Sequence, residues 1–144
     1  MINLNSSVLI YRPVKQVFDF VSAAENDFQW QYGTLESARI SAGPTGRGAA
    51  FRSVGHLMGH RVLGTFEVTE YVANRTYGFK SLSGPLCMQT LITFEISRGS
   101  TRVIVSTEAS VKDFHQIGDG ILEKHLRKQL KENLNLLKDI LETA

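Results

Sequence analysis

The segment "IGDGILEKHLRKQLKENLNLLKDILETA", residues 117–144, decides how the rest of the chain has to be arranged. Its leucines recur at steps of four, four, four, three and four residues: Leu122, Leu126, Leu130, Leu134, Leu137 and Leu141. This spacing predicts one apolar stripe on a helix of roughly 25 residues, on the order of 38 Å long. The stripe lacks a clean 3.5-residue repeat, so a coiled coil is the weaker interpretation. We expect the helix to bury its stripe across a β-sheet.

Residues 34–110 contain the segments that predict this sheet. They alternate in character and are rich in β-branched and aromatic residues: "TLESARISA", "GRGAAFRSVGHL", "HRVLGTFEVTEYV", "RTYGFKSL", "LCMQTLITFEIS" and "TRVIVSTEAS". Short breaks such as "MG", "AN", "SGP" and "RGS" separate most of them. Connections this short exclude parallel pairing, which needs long crossovers. The sequence therefore predicts six strands in an antiparallel meander.

The N-terminal part predicts one more strand and one or two short helices. The strand is "INLNSSVLIY", residues 2–11, and Pro13 is well placed to open the helix that follows. Val14, Val17, Phe18 and Val21 follow the i, i+3, i+4, i+7 spacing of an amphipathic helix. The segment "ENDFQWQY", residues 25–32, predicts a second short helical turn.

Composition limits the class of protein. The chain has 144 residues, 42% of them hydrophobic, and a formal net charge of +2, which predicts one globular domain over residues 1–144. The small charge gives no reason to expect a nucleic-acid partner. No apolar run is long enough for stable membrane insertion, and the N-terminus does not resemble a secretion signal. The single cysteine, Cys87, excludes an internal disulfide, so we expect a cytoplasmic protein in which this residue is packed.

The order of these elements is similar to the START/Bet v 1-like (SRPBCC, helix-grip) superfamily, and most similar to its polyketide cyclase/dehydrase-like branch of small bacterial proteins. The segments that carry the resemblance are "RPVKQVFDFVSAAENDFQW", "GPTGRGAAF", "FEVTEYVANRTYGF", "GSTRVIVSTE" and the terminal leucine helix. The resemblance implies an α+β helix-grip fold. In this fold a curved antiparallel sheet of about seven strands wraps around the long C-terminal helix, with short helices between strands 1 and 2. It also implies a cavity between sheet and helix for an apolar small molecule or lipid.

Two histidines raise the question of a metal site. His56 and His60 in "GHLMGHR" are four residues apart, which on a helix would place both on one face. Strand patterns lie on both sides, however, so Met58 and Gly59 are predicted to form the bend of a hairpin. A zinc site would also need a third protein ligand. We expect solvated hairpin histidines and no metal, with a role at the rim of the cavity as the alternative.

Candidate catalytic residues are few. Asp119 and Glu123 fall close to the azimuth of the leucine stripe, so Glu123 either borders the cavity as an acid or base, or belongs to an exposed first turn. The sequence does not identify a partner for Glu123, and Arg52, Tyr77 and His115 are the candidates. In an enzyme, Glu123, Tyr77 or Arg52 would move protons.

Alternation along the strands predicts which side chains face the cavity. Ile96 is expected to share the inward phase of its strand, as are Val103 and Ala109 on the next. The polar residues Ser53, Thr90 and Thr107 are candidates for orienting a ligand. The predicted ligand-binding residues are Phe51, Ser53, Phe66, Val68, Tyr77, Thr90, Ile92, Phe94, Val105, Thr107, Leu126 and Leu130.

These residues predict a protein that binds a small hydrophobic molecule or lipid, with no cofactor. An enzyme of the cyclase/dehydrase type that uses the same cavity is the first alternative. A non-enzymatic protein-interaction module is the second. The sequence leaves the oligomeric state open.

Overall fold

A computed structural model describes residues 2–111 and 118–144. Its elements, in chain order, are β1 (Ile2–Ile10), α1 (Val14–Val21), a 3-10 turn (Ala24–Asn26), α2 (Asp27–Trp30), β2 (Thr34–Arg39), β3 (Ala50–Leu57), β4 (His60–Val72), β5 (Thr76–Ser83), β6 (Leu86–Ser97), β7 (Ser100–Val111) and α3 (Asp119–Thr143). The predicted element order, including the short helices after the first strand, is confirmed.

The sheet has seven antiparallel strands in the order β1-β7-β6-β5-β4-β3-β2. Strands β2 to β7 therefore form a continuous meander, and β1 pairs with the last strand instead of with β2. The pairing shifts register between Thr34 and Glu36 and at two places along β4. Such bulges bend a strand and increase its twist, which helps the sheet to curve.

The turn at residues 58–59 explains the histidine spacing. Met58 has φ 50° and Gly59 has φ 84°, the positive angles that a two-residue hairpin turn requires. Strand β3 ends just before this turn and β4 begins just after it. His56 pairs with Arg61, and His60 pairs with Leu57, so the two histidines are not directly opposite each other.

Helix α3 buries the predicted stripe. Among its leucines, Leu122, Leu134 and Leu137 are fully buried, and Leu126 and Leu141 nearly so. Near its C-terminal end, Lys138 Nζ donates hydrogen bonds to the Leu9 carbonyl at 2.6 Å and to Glu142 at 2.7 Å. These bonds hold that end of the helix against β1.

The apolar interior divides into two clusters. The larger one contains Val17, Phe18 and Val21 of α1, which pack with the C-terminal leucines of α3 and with the middle of the sheet. Phe18 meets Phe94 edge to face, with ring centroids 5.1 Å apart. The smaller cluster lies around the N-terminal half of α3 and contains Ile2, Leu4, Leu57, Ala109, Leu122 and Leu126.

Two sequence-based expectations about exposure are wrong. Ile96 is 71% exposed although it shares the inward phase of β6, because it lies next to the β6–β7 turn at the end of the strand. Cys87 is exposed and not packed, because it lies on β6 next to the inward-facing Met88 and takes the opposite phase.

Candidate functional site

A cavity of about 200 Å³ lies between the sheet and α3. Its wall takes residues from both apolar clusters: Phe51, Ile92 and Val105 belong to the larger one, and Leu4 and Leu57 to the smaller. The cavity therefore lies between the two clusters under the helix, where Leu130 of α3 packs against both of them.

The cavity reaches the surface at one end of the sheet. The lining residues His56, Leu63, Ser83, Gly84 and Pro85 are exposed, and they come from the strands and turns at the β3–β4 and β5–β6 hairpins. A small molecule therefore has an entry route between these hairpins.

Nine of the predicted ligand-binding residues lie on the cavity wall. They are Phe51, Ser53, Phe66, Thr90, Ile92, Val105, Thr107, Leu126 and Leu130. Alternation along β3, β4, β6 and β7 accounts for the strand residues, and the leucine stripe accounts for the two on α3. That these residues bind a ligand remains a prediction.

The other three predicted residues do not line this cavity. Val68, Tyr77 and Phe94 are at most 5% exposed and belong to the larger apolar cluster. Phe94 is covered by Phe18 of α1, which fills the space above it. Val68 and Tyr77 line a separate hollow of about 10 Å³, too small for an organic ligand.

The candidate catalytic residues also lie away from the cavity wall. Glu123 forms an exposed ion pair with Arg127 at 3.5 Å. Residues four apart on a helix are separated by about 400°, which is about 40° more than a full turn. The leucine stripe therefore shifts gradually around the helix. At the helix start the buried residue is Leu122 and not Glu123. Arg52 is exposed because it alternates with the inward-facing Phe51 and Ser53. His115 lies outside the described residues, as does the side chain of Asp119.

Tyr77 is the third catalytic candidate, and it is buried in the core. Burial, and next the negative charge of Asp27, raise the pKa of the Tyr77 phenol above its ordinary value. A phenol held protonated in this way is a poor base, and its side chain does not reach the cavity wall.

The sheet side of the cavity carries one buried polar pair. The hydroxyl oxygens of Thr90 and Thr107 lie 3.0 Å apart and share a hydrogen bond. The two residues are 5% and 6% exposed. Because one proton lies between the two oxygens, the other hydroxyl proton is left to donate elsewhere.

The helix side carries polar residues that the sequence did not single out. Asp27 and Trp30, three residues apart on α2, both line the cavity, as does Asn133 of α3. Asn133 Oδ1 accepts a hydrogen bond from the Tyr32 backbone N–H at 2.9 Å, which ties α3 to the segment after α2. The spacing of Asp27 and Trp30 places them on one helical face, but a helix of four residues is too short for this spacing to stand out in the sequence.

Asp27 is the unusual group in this set. The residue is only 8% exposed, and no hydrogen bond to its carboxyl from the described part of the chain offsets this burial. Burial, and next the charge of Glu25, raise the pKa of this carboxyl well above its ordinary value. Trp30 Nε1 is likewise buried without a hydrogen-bond acceptor.

Within residues 2–111 and 118–144, no three histidine, cysteine or carboxylate side chains lie close enough together to hold a metal ion. His56 is among the residues that line the cavity near its mouth, and a role for it at the rim remains a prediction. No helix in the described part of the chain is long and apolar enough to cross a membrane.

Solved structures with the same architecture are numerous. A START superfamily protein from Mycobacterium smegmatis matches with a TM-score of 0.85 and 15% identity, over 99% of each chain. An aromatase/cyclase from a Streptomyces species matches with a TM-score of 0.80 and 13% identity, over 97% of this chain and 93% of the other. The chain has the START-type helix-grip fold.

A Thermus thermophilus protein has the same helix-grip architecture, with a TM-score of 0.77, 20% identity and coverage of 98% and 94% of the two chains. No protein-family model and no curated relative matches the sequence. At these identities the structural matches show the helix-grip fold alone, and activity has to be argued from the cavity.

Proposed function

We propose that the protein binds a small, mainly apolar molecule in the cavity between the sheet and α3. The observation that carries the proposal is an apolar space of about 200 Å³ in the middle of the domain, bordered by two separate hydrophobic clusters. Globular interiors are normally packed with few voids larger than a water molecule. A space of this size that also reaches the surface is therefore the default ligand site.

The volume limits the ligand. Drug-sized pockets are roughly 300–1,000 Å³, and this cavity is smaller. An apolar cavity of about 150 Å³ holds benzene, so scaling by volume gives roughly eight non-hydrogen atoms here. The proposal is therefore a ligand with one substituted ring or a short branched chain. A whole lipid or a multi-ring polyketide exceeds this volume.

Two-dimensional NMR titration with ligands of graded size tests the proposal. We expect cumene to shift the resonances of cavity residues such as Ile92 and Val105, and palmitate to leave them unchanged. If no single-ring compound moves these resonances, the proposal is overturned.

A pair of variants on β7 supplies the control. Ala109 lines the cavity and is 2% exposed, so Ala109→Leu places three additional carbon atoms in the space. Ser106 lies on the same strand with its side chain exposed, so Ser106→Leu adds similar bulk on the opposite face. We expect Ala109→Leu to weaken cumene binding at least tenfold, and Ser106→Leu to leave it unchanged.

A cyclase or dehydratase activity is a second candidate, and one observation favours it. Asp27 provides a carboxyl of raised pKa on the wall of the cavity, and such a group is suited to general acid catalysis. The test is turnover of a short β-ketothioester, followed by mass spectrometry. Loss of product in Asp27→Asn with binding retained supports the enzyme, and unchanged turnover removes Asp27 from that role.

A further inference from the structure

We propose that Asp27, Trp30 and Asn133 form a polar subsite on the helix side of the cavity, and that this subsite binds the carbonyl oxygen of a small aromatic ligand. The inference rests on the proposed function and goes further by naming the ligand class. Its starting point is that these polar residues line an otherwise largely apolar cavity from the α2 and α3 side.

The side chains of this subsite offer more hydrogen-bond donors than the neighbouring protein acceptors can use. Trp30 Nε1–H is buried and has no acceptor among the described residues. The amide oxygen of Asn133 is already used by the Tyr32 N–H, so its remaining capacity is the two N–H donors. An unpaired donor in a buried site costs about 1–3 kcal/mol. Less than 1 Å² of Trp30 Nε1 is accessible, so a ligand oxygen would relieve that cost after the indole turns its N–H toward the cavity.

Asp27 adds a further donor when it is protonated. Asp27 is buried on the cavity wall, and within the described residues no hydrogen bond to its carboxyl offsets the burial. Desolvation and the neighbouring charge of Glu25 raise its pKa, which favours the neutral acid with its O–H. The other titratable groups around it are the buried Tyr77 and, at the cavity mouth, His56, while α3 presents the uncharged Gln129 and Asn133 to the cavity.

This arrangement favours a neutral acceptor over a charged ligand. A carboxylate ligand would be repelled by Glu25 and by Asp27 whenever the latter ionises, and it would lose its hydration in an apolar cavity. A ketone or aldehyde oxygen accepts two hydrogen bonds and carries no net charge. The wall opposite the subsite is largely apolar and includes Phe51, Phe66 and Phe79, which suit a ring attached to that carbonyl.

A matched pair of ligands tests the proposal in the unmodified protein. Acetophenone and cumene have similar size and the same number of non-hydrogen atoms, and a planar carbonyl group in the first takes the place of a tetrahedral carbon with its methyl group in the second. We expect acetophenone to bind about tenfold more tightly, the equivalent of one buried hydrogen bond. Trp30 is the only tryptophan, so its indole N–H gives one NMR resonance, which acetophenone should move downfield and cumene should not.

Variants at Asp27 separate its role from that of the cavity. Asp27→Leu removes one of the three donors and should reduce the preference for acetophenone while cumene still binds. Asp27→Asn keeps an N–H donor but does not titrate, so the preference should persist and become independent of pH. In the wild type the preference should fall as pH rises through the raised pKa of Asp27. Glu25→Gln, which leaves the cavity lining unchanged, is the matched control and should retain the preference.

The outcomes distinguish the two proposals. If acetophenone and cumene bind equally and the Trp30 indole resonance stays in place, the subsite is overturned and ligand binding by the cavity stands. If neither compound binds, the proposed function is overturned, and the subsite with it.

Discussion

The buried carboxyl of Asp27 predicts an unusual dependence of stability on pH. Its pKa in the folded protein lies well above the ordinary value of 3.8, because of burial and the charge of Glu25. Between these two pKa values the folded state binds one proton more than the unfolded state. The free energy of unfolding must therefore fall as pH rises, by about 1.4 kcal/mol per pH unit, until the folded pKa is passed.

The perturbation that isolates this effect is Asp27→Asn, which keeps the shape of the side chain and removes its titration. Urea unfolding of the wild type and the variant, measured at half-unit steps from pH 4 to pH 8, gives the difference between their free energies of unfolding. Contributions from other titrating groups cancel in this difference. We expect the variant to gain stability relative to the wild type as pH rises, at close to the slope stated above.

Glu25→Gln serves as the control for the second cause of the shift. Removing the Glu25 charge should lower the pKa of Asp27 in the folded protein. In the Glu25→Gln variant, the fall in the free energy of unfolding should therefore end at a lower pH than in the wild type. The slope of interest is the change with pH of the difference in free energy of unfolding between wild type and Asp27→Asn. If this slope stays below about 0.3 kcal/mol per pH unit from pH 4 upward, the reasoning about the buried carboxyl is refuted.

Two further predictions concern the packing around the cavity. Thr90→Val or Thr107→Val alone should lower the free energy of unfolding by about 1–3 kcal/mol, because each leaves a buried hydroxyl without its partner, whereas the double variant should be nearly neutral. Urea unfolding of all four proteins measures the coupling, and a value near zero would mean that the orphaned hydroxyl finds another partner. Gly55→Ala places a Cβ 2.1 Å from the Gly33 carbonyl oxygen and should cost about 1–3 kcal/mol in thermal or urea unfolding, while Gly46→Ala, which has open space around it, should change stability by less than about 0.5 kcal/mol. Equal effects of the two glycine substitutions would contradict the close approach of β2 and β3.

Much of the candidate site follows from local periodicity. Alternation along β3, β6 and β7 predicted the inward residues Phe51, Thr90 and Thr107. Alternation identifies a face of the sheet, but it does not say how far along that face the cavity extends. Val68 and Phe94 have the inward phase, yet lie in the larger apolar cluster with the residues of α1. Their exclusion from the cavity depends on where a separate helix packs.

The same distinction applies to the charged residues. On a helical wheel, Glu123 lies close to the direction of the leucine stripe. The buried stripe shifts around the helix along its length, however, so that Leu122 is buried at the helix start and Glu123 pairs with Arg127. Asp27 was overlooked because α2 has only four residues, too few for a periodic pattern to reveal its buried side. Its pKa depends on the apolar surroundings and on Glu25, which only the assembled domain provides.

The sequence by itself determined the order of the elements, the antiparallel meander and the burial of one face of the long helix. These features arise from repeats of two and about four residues and from turn residues, all of which act over short distances along the chain. The tertiary structure decided where the cavity lies between the two apolar clusters, and which polar groups line it. Those properties depend on contacts between residues far apart in the chain, such as that of Tyr32 with Asn133, which no local period records.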